Sequence, residues 1–206
     1  MRRLITALIL LLSLYGCGNK RAYAPLPKGA VVLALGDSVT YGTGAGSGED
    51  YPTRLAALTG WHIINAGVPG DVAAGGRQRL PDLLEEHHPQ LLIVELGGND
   101  FLHKTPVEDI RAHLDAILSS ASTAGIPAVL LGVPRPSLGG ALMGLDPDPL
   151  YAELAKKHQA LLIADALPKV LSDNSLKADP IHPNADGYAR LAQDMHAALA
   201  KAGLAQ

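Results

Sequence analysis

Five short apolar runs dominate the pattern of this chain: AVVLAL (30–35), HIINA (62–66), LLIVEL (91–96), AVLLGV (128–133) and ALLIAD (160–165). Their hydrophobicity is continuous rather than alternating, as strands buried on both faces of a helix-covered parallel sheet require. Between them lie helical patterns over roughly 49–59, 72–88, 106–124 and 149–159, then a short one near 166–172 and a last one over 185–202. Such alternation predicts a three-layer, doubly wound α/β/α sandwich around a five-stranded parallel sheet, with right-handed connections. Some boundaries carry their own signals. Pro52 sits in an opening turn, Thr105 and Pro106 read as N-cap and first helical position, and Gly125 ends that helix ahead of Pro127.

The chain has 206 residues, 48% of them hydrophobic and 18% charged, enough apolar material for one core and one domain, expected over 30–206. A formal net charge of -3 without a long basic run excludes a nucleic-acid footprint and a polybasic membrane patch. Neutral or small partners fit better, and nothing demands more than a monomer.

Arg2 and Arg3 precede an apolar run from Leu4 to Tyr15, the layout of a secretory signal over 1–16. The run is too short to span a bilayer, which takes about 20 apolar residues. Leu14-Tyr15-Gly16-Cys17 resembles the lipobox of bacterial lipoproteins. That resemblance implies lipidation of Cys17, a polar, Pro-containing tether over 17–29 and a location on the periplasmic face of a bacterial membrane, held by the lipid alone. A plain cleavable signal, giving a soluble periplasmic or secreted protein, is the alternative. Cys17 is the only cysteine, so the domain has no intrachain disulfide, and thiolate catalysis and thiolate metal sites are disfavoured.

Ligands of open α/β sheets bind outside the carboxyl ends of the strands. The unusual residues collect in the loops that follow the runs: GDSVTYGTG, GVPGD, GGNDFLHK, PRPSLGGALMGLDPDP and LKADPIHPNADGY. Ser38, after the first run, is either a helix cap with Asp37 or a nucleophile. A serine nucleophile needs a base, because its hydroxyl is weakly nucleophilic on its own. Of eight histidines, His113, His158 and His196 fall on helical patterns, His87 and His88 end one, and His62 begins a strand. His182 and His103 remain, both in loops on the expected functional edge. His182 has Asp179 three residues upstream, and an Asp-x-x-His turn can bring a carboxylate to an imidazole. A metal pair is the rival reading, but it lacks a third ligand, and no cofactor is called for. Asn99 in GGND and the backbone N–H of Gly70 in VPGD can serve a developing oxyanion. Asp37 and Asp100 read as turn-bracing acids. Phe101 and Leu102 are candidates for an acyl-binding wall, with plain packing as the alternative for Phe101.

Taken together, GDSV, VPGD, GGND and DPIH resemble the four ordered blocks of the SGNH (GDSL) hydrolases, most closely the small bacterial thioesterase, arylesterase and lysophospholipase branch. The resemblance spans roughly residues 30–200 and implies a flavodoxin-like SGNH fold. It implies a triad of Ser38, His182 and Asp179, an oxyanion hole of Ser38 N–H, Gly70 N–H and Asn99, and an acyl ester or lysophospholipid substrate. GDSVT stands where GDSLS is commoner in the family, and the loop from Pro134 to Pro149 departs from it as well. Two other readings stay open: an acetylesterase acting on cell-envelope polysaccharide, and a non-enzymatic module whose glycine-rich first loop cradles a phosphate or flavin.

Overall fold

The computed structural model describes residues 23–135 and 146–206. The expected signal peptide, Cys17 and residues 136–145 of the Pro134–Pro149 loop lie outside the described residues. The elements run β1 (Val31–Gly36), α1 (Ser38–Tyr41), α2 (Tyr51–Thr59), β2 (His62–Gly67), α3 (Ala73–His87), β3 (Leu91–Glu95) and α4 (Gly98–Leu102). After these come α5 (Val107–Thr123), β4 (Ala128–Leu131), α6 (Pro149–His158), β5 (Leu161–Ile163), α7 (Ala166–Ser172) and α8 (Ala185–Ala202).

All five strands are parallel, in the order β2-β1-β3-β4-β5. Helices α2, α7 and α8 group on one side of the sheet and α3, α5 and α6 on the other, which makes the three layers expected of the sequence. Leu33, Leu35, Leu92, Ile93, Val129 and Leu130 are fully buried between the layers. The direction of winding reverses between β1 and β3, so a crevice opens outside their carboxyl ends. In register, Gly36 stands level with Gly67 on one side and Glu95 on the other, so three loops leave the sheet at one height.

Four details differ from the sequence reading. The run at 62–66 is not buried on both faces: β2 is an edge strand whose residues are partly or fully exposed, because helices cannot close over both sides of a sheet margin. The helix expected to start at Pro106 with Thr105 as its cap starts at Val107. Pro106 itself occupies the N-cap with an extended ψ of 134, and Glu108 and Asp109 complement the dipole of the first turn. The tether expected over 17–29 is docked from Tyr23 onward. Tyr23 Oη donates to Gln159 O at 2.9 Å, Leu26 N to Leu204 O at 2.9 Å, and Leu26 packs against the core. Finally, two one-turn helices, α1 and α4, follow β1 and β3 and are too short for any periodicity to announce.

Candidate active site

The first loop folds back at once. A Cβ on Gly36 would lie 1.9 Å from Thr40 Oγ1, so a bare backbone at the strand end lets α1 pack against it. Asp37 caps that turn, accepting from Val39 N at 3.0 Å, and Ser38 becomes its first residue, part-exposed at the crevice.

The last loop is organised by Asp179. Its Oδ1 accepts the backbone N–H groups of Ile181 and His182, each at 2.9 Å, and its Oδ2 faces His182 Nδ1 at 2.7 Å. One carboxylate therefore shapes the turn and orients the ring. Two residues on, Asn184 caps α8 by accepting from Gly187 N, and its Nδ2 donates back to Ser175 O at 2.8 Å, fixing the loop to the start of a long helix with one buried face. His182 Nε2 lies 2.9 Å from Ser38 Oγ. With Nδ1 donating to the carboxylate, Nε2 carries the lone pair and accepts the serine proton. Burial pushes the Asp179 carboxyl up, but the hydrogen bonds from the His182 ring and two backbone N–H groups outweigh it and leave it below the ordinary carboxylate range.

Asn99, on α4, reaches the same crevice. Its Nδ2 donates to Asp37 Oδ2 at 3.1 Å and to Asp71 O at 2.9 Å, so both amide hydrogens are engaged. An oxyanion has to share or displace one of these partners. Ser38 N–H and Gly70 N–H donate to no protein group among the described residues. Gly70 has φ +80 and sits exposed in the turn after β2. Asp100 braces, as expected, with Oδ2 accepting from Ala73 N at 2.9 Å.

A cavity of about 260 Å³ opens beside Ser38, Asn99 and His182. Val39, Leu102, Val133, Leu167, Leu171 and Ile181 give it apolar walls, while Arg135 and Lys177 stand among its lining. Leu102 is thus a wall residue, whereas Phe101 packs against the core with the Arg135 guanidinium 5.2 Å from its ring centre. His103, the other candidate base, is exposed at the end of α4 and does not line the cavity. No group of three metal-ligating side chains occurs among the described residues.

Two site features escaped the sequence reading. Glu95 ends β3 buried beneath the nucleophile, its Oε2 accepting from Thr40 Oγ1 at 2.9 Å, with Tyr51 Oη 3.1 Å from the same hydroxyl. Burial drives Glu95 well above the ordinary carboxyl range and pushes Asp37 up to about 6. An acid at the end of LLIVEL was the only signal. Asp71 and Arg79 form the second feature, an ion pair at 2.9 Å under the Gly70 turn. Eight residues apart in the chain, that pair left no pattern to read.

The sequence pattern that defines the GDSL-like lipase/acylhydrolase family matches residues 34–190. The chain belongs to this family. Its members include "Thioesterase 1/protease 1/lysophospholipase L1" of Escherichia coli (strain K12), 30% identical over 169 residues, covering 80% of each chain. "Esterase TesA" of Pseudomonas aeruginosa is 28% identical over 170 residues, covering 80% of this chain and 85% of that one. Among solved structures, AlinE4, an SGNH-hydrolase family esterase, is similar with 35% identity and a TM-score of 0.65, over 86% of this chain and 98% of that one. Membership makes this chain a GDSL/SGNH ester hydrolase and sets aside the phosphate- or flavin-binding module.

Proposed function

We propose that the protein is an exported esterase and thioesterase that works through an acyl-enzyme on Ser38. The observation that carries this reading is the continuous chain from Ser38 Oγ to His182 Nε2 at 2.9 Å and from His182 Nδ1 to Asp179 Oδ2 at 2.7 Å. Ser38 Oγ attacks the acyl carbonyl as His182 Nε2 takes its proton. The imidazolium, stabilised by Asp179, gives that proton to the departing alcohol or thiol, and a water deprotonated by the same ring then releases the acid. Ser38 N–H, Gly70 N–H and Asn99 Nδ2 stabilise the tetrahedral oxyanion, the last by exchanging one of its present acceptors.

The apolar walls favour an acyl chain longer than acetyl, which argues against the polysaccharide acetylesterase reading and for acyl esters of the lysophospholipid kind. Export directed by the leader over 1–16, followed by lipidation of Cys17, would hold the enzyme by its lipid at a membrane surface where such esters occur. No helix among the described residues is long and apolar enough to cross a membrane, so the lipid is the anchor proposed.

A fluorophosphonate should label the purified enzyme at Ser38 with loss of ester turnover, and Ser38→Ala should abolish both. Labelling elsewhere would refute the nucleophile. Incorporation of radioactive palmitate that Cys17→Ser removes would support the anchor, and its absence from the wild type would remove it.

A further inference from the structure

Glu95 presents a problem of hydrogen-bond accounting. Glu95 is 1% exposed, Oε2 takes the Thr40 hydroxyl, and Oε1 is buried without a hydrogen-bond partner among the described residues. Its neighbour is another acid, Asp37, which meets Glu95 through its carboxyl as well as its backbone N–H. Two carboxylates cannot hydrogen-bond one another, since both only accept. No Lys or Arg pairs with either among the described residues, so two buried negative charges would lie together uncompensated.

We propose that Glu95 and Asp37 share one proton beneath the nucleophile, and that Glu95 is thereby a positioning residue for the Asn99 amide. Glu95 is the protonated partner. Asp37 accepts two hydrogen bonds, from Val39 N–H and the Asn99 amide, which favour its ionised form, while the more deeply buried Glu95 takes the Thr40 hydroxyl and faces a single backbone N–H, that of Asp37. The relay then has one direction. Tyr51 O–H donates to Thr40 Oγ1, Thr40 O–H to Glu95 Oε2, and Glu95 Oε1–H to Asp37, whose Oδ2 holds one hydrogen of Asn99 Nδ2. Every member is satisfied, including the oxygen that otherwise has no partner. With that hydrogen pinned, the amide plane is set, and its second hydrogen, now on Asp71 O, is the one left to turn to an oxyanion.

The other titratable groups facing the pair are Tyr51 on α2, Tyr151 on α6, Tyr188 on α8, Asp71 before α3, and His182. Burial pushes all three tyrosines above their ordinary range, so they stay neutral and supply no countercharge. Once pH rises past the raised pKa of the pair the shared proton leaves, the two carboxylates repel, and Asn99 loses its anchor.

This inference rests on the acyl-enzyme reading with Asn99 as an oxyanion donor, and its test separates the two. The infrared spectrum of resting enzyme at neutral pH should contain a protonated-carboxyl stretch that Glu95→Gln removes. No turnover is involved, so absence of the band overturns proton sharing even if Ser38 proves to be the nucleophile. In ester hydrolysis, Glu95→Ala should lose on the order of 10²-fold in kcat through a misplaced amide. Glu95→Gln, which can donate to Asp37 and accept from Thr40, should rescue most of that loss and abolish the alkaline decline of wild-type kcat. An alkaline profile shared by wild type and Glu95→Gln would overturn the positioning role, as would failure of the glutamine to rescue. Loss of fluorophosphonate labelling at Ser38 in the wild type would instead overturn the acyl-enzyme reading.

Discussion

Arg79 Nη2 donates to the carbonyl of Gly36 at 2.9 Å, tying α3 to the last residue of the strand that presents Ser38. The same guanidinium gives Nη1 to Ala66 O at 2.6 Å and Nε to Asp71 Oδ2 at 2.9 Å. One planar fork thus joins the ends of β1 and β2 to the Gly70 turn, a geometry an ammonium cannot reproduce. Arg79→Lys should cost about 1–3 kcal/mol of stability by leaving part-buried acceptors unpaired. It should lower kcat more than it raises KM, because the turn carrying Gly70 is loosened. Chemical denaturation and steady-state kinetics on one purified variant check both.

Asn99 gives a sharper kinetic expectation. Removing an oxyanion donor costs about 10²–10³ in turnover. Asn99→Ala, which removes the proposed oxyanion donor, should therefore lose kcat to that extent with KM nearly unchanged, since such a donor serves the transition state rather than the bound ester. A loss below tenfold would contradict the assignment.

Gly97 precedes α4 at φ +116, and a Cβ there would fall 2.3 Å from Tyr151 Oη. That hydroxyl donates to Leu96 O at 2.8 Å inside the core. Gly97→Ala should destabilise by about 1–3 kcal/mol from backbone strain, with a further loss if the tyrosine bond breaks. Thermal melting should show the drop, and Asn99-dependent turnover should fall in the surviving folded protein.

The stability of the fold should record the proton on Glu95. Burial raises its folded-state pKa well above the unfolded value of about 4.3. The contribution is fully present below the unfolded pKa and is lost as pH rises through the folded one. In that window the folded protein holds a proton that the unfolded chain has released, so stability falls by about 1.4 kcal/mol per pH unit. Glu95→Gln lacks this dependence. Its melting temperature should gain on the wild type as pH rises from mildly acidic to neutral and beyond, and a constant difference across the series would contradict the shift.

Much of this protein is legible one segment at a time. The apolar runs at 30–35, 91–96 and 128–133 mark the three central strands, and Asp179 with His182 marks a self-organising turn, because such information lies within a few neighbouring residues. The edge position of β2, the docking of residues 23–29 and the shifted start of α5 were not legible there, since each depends on what packs alongside.

Strand-forming runs, helix signals and the candidate chemistry of Ser38, Asn99 and His182 were determined by local side-chain patterning alone. Only the tertiary structure decided that Ser38 and His182, 144 residues apart, stand 2.9 Å from each other. It also decided that Glu95 lies against Asp37 and that both hydrogens of Asn99 are already taken. Sheet order and the level ends of β1, β2 and β3 create those encounters, and no stretch of sequence contains them, because they are distances between segments that meet only after the chain has wound around its core.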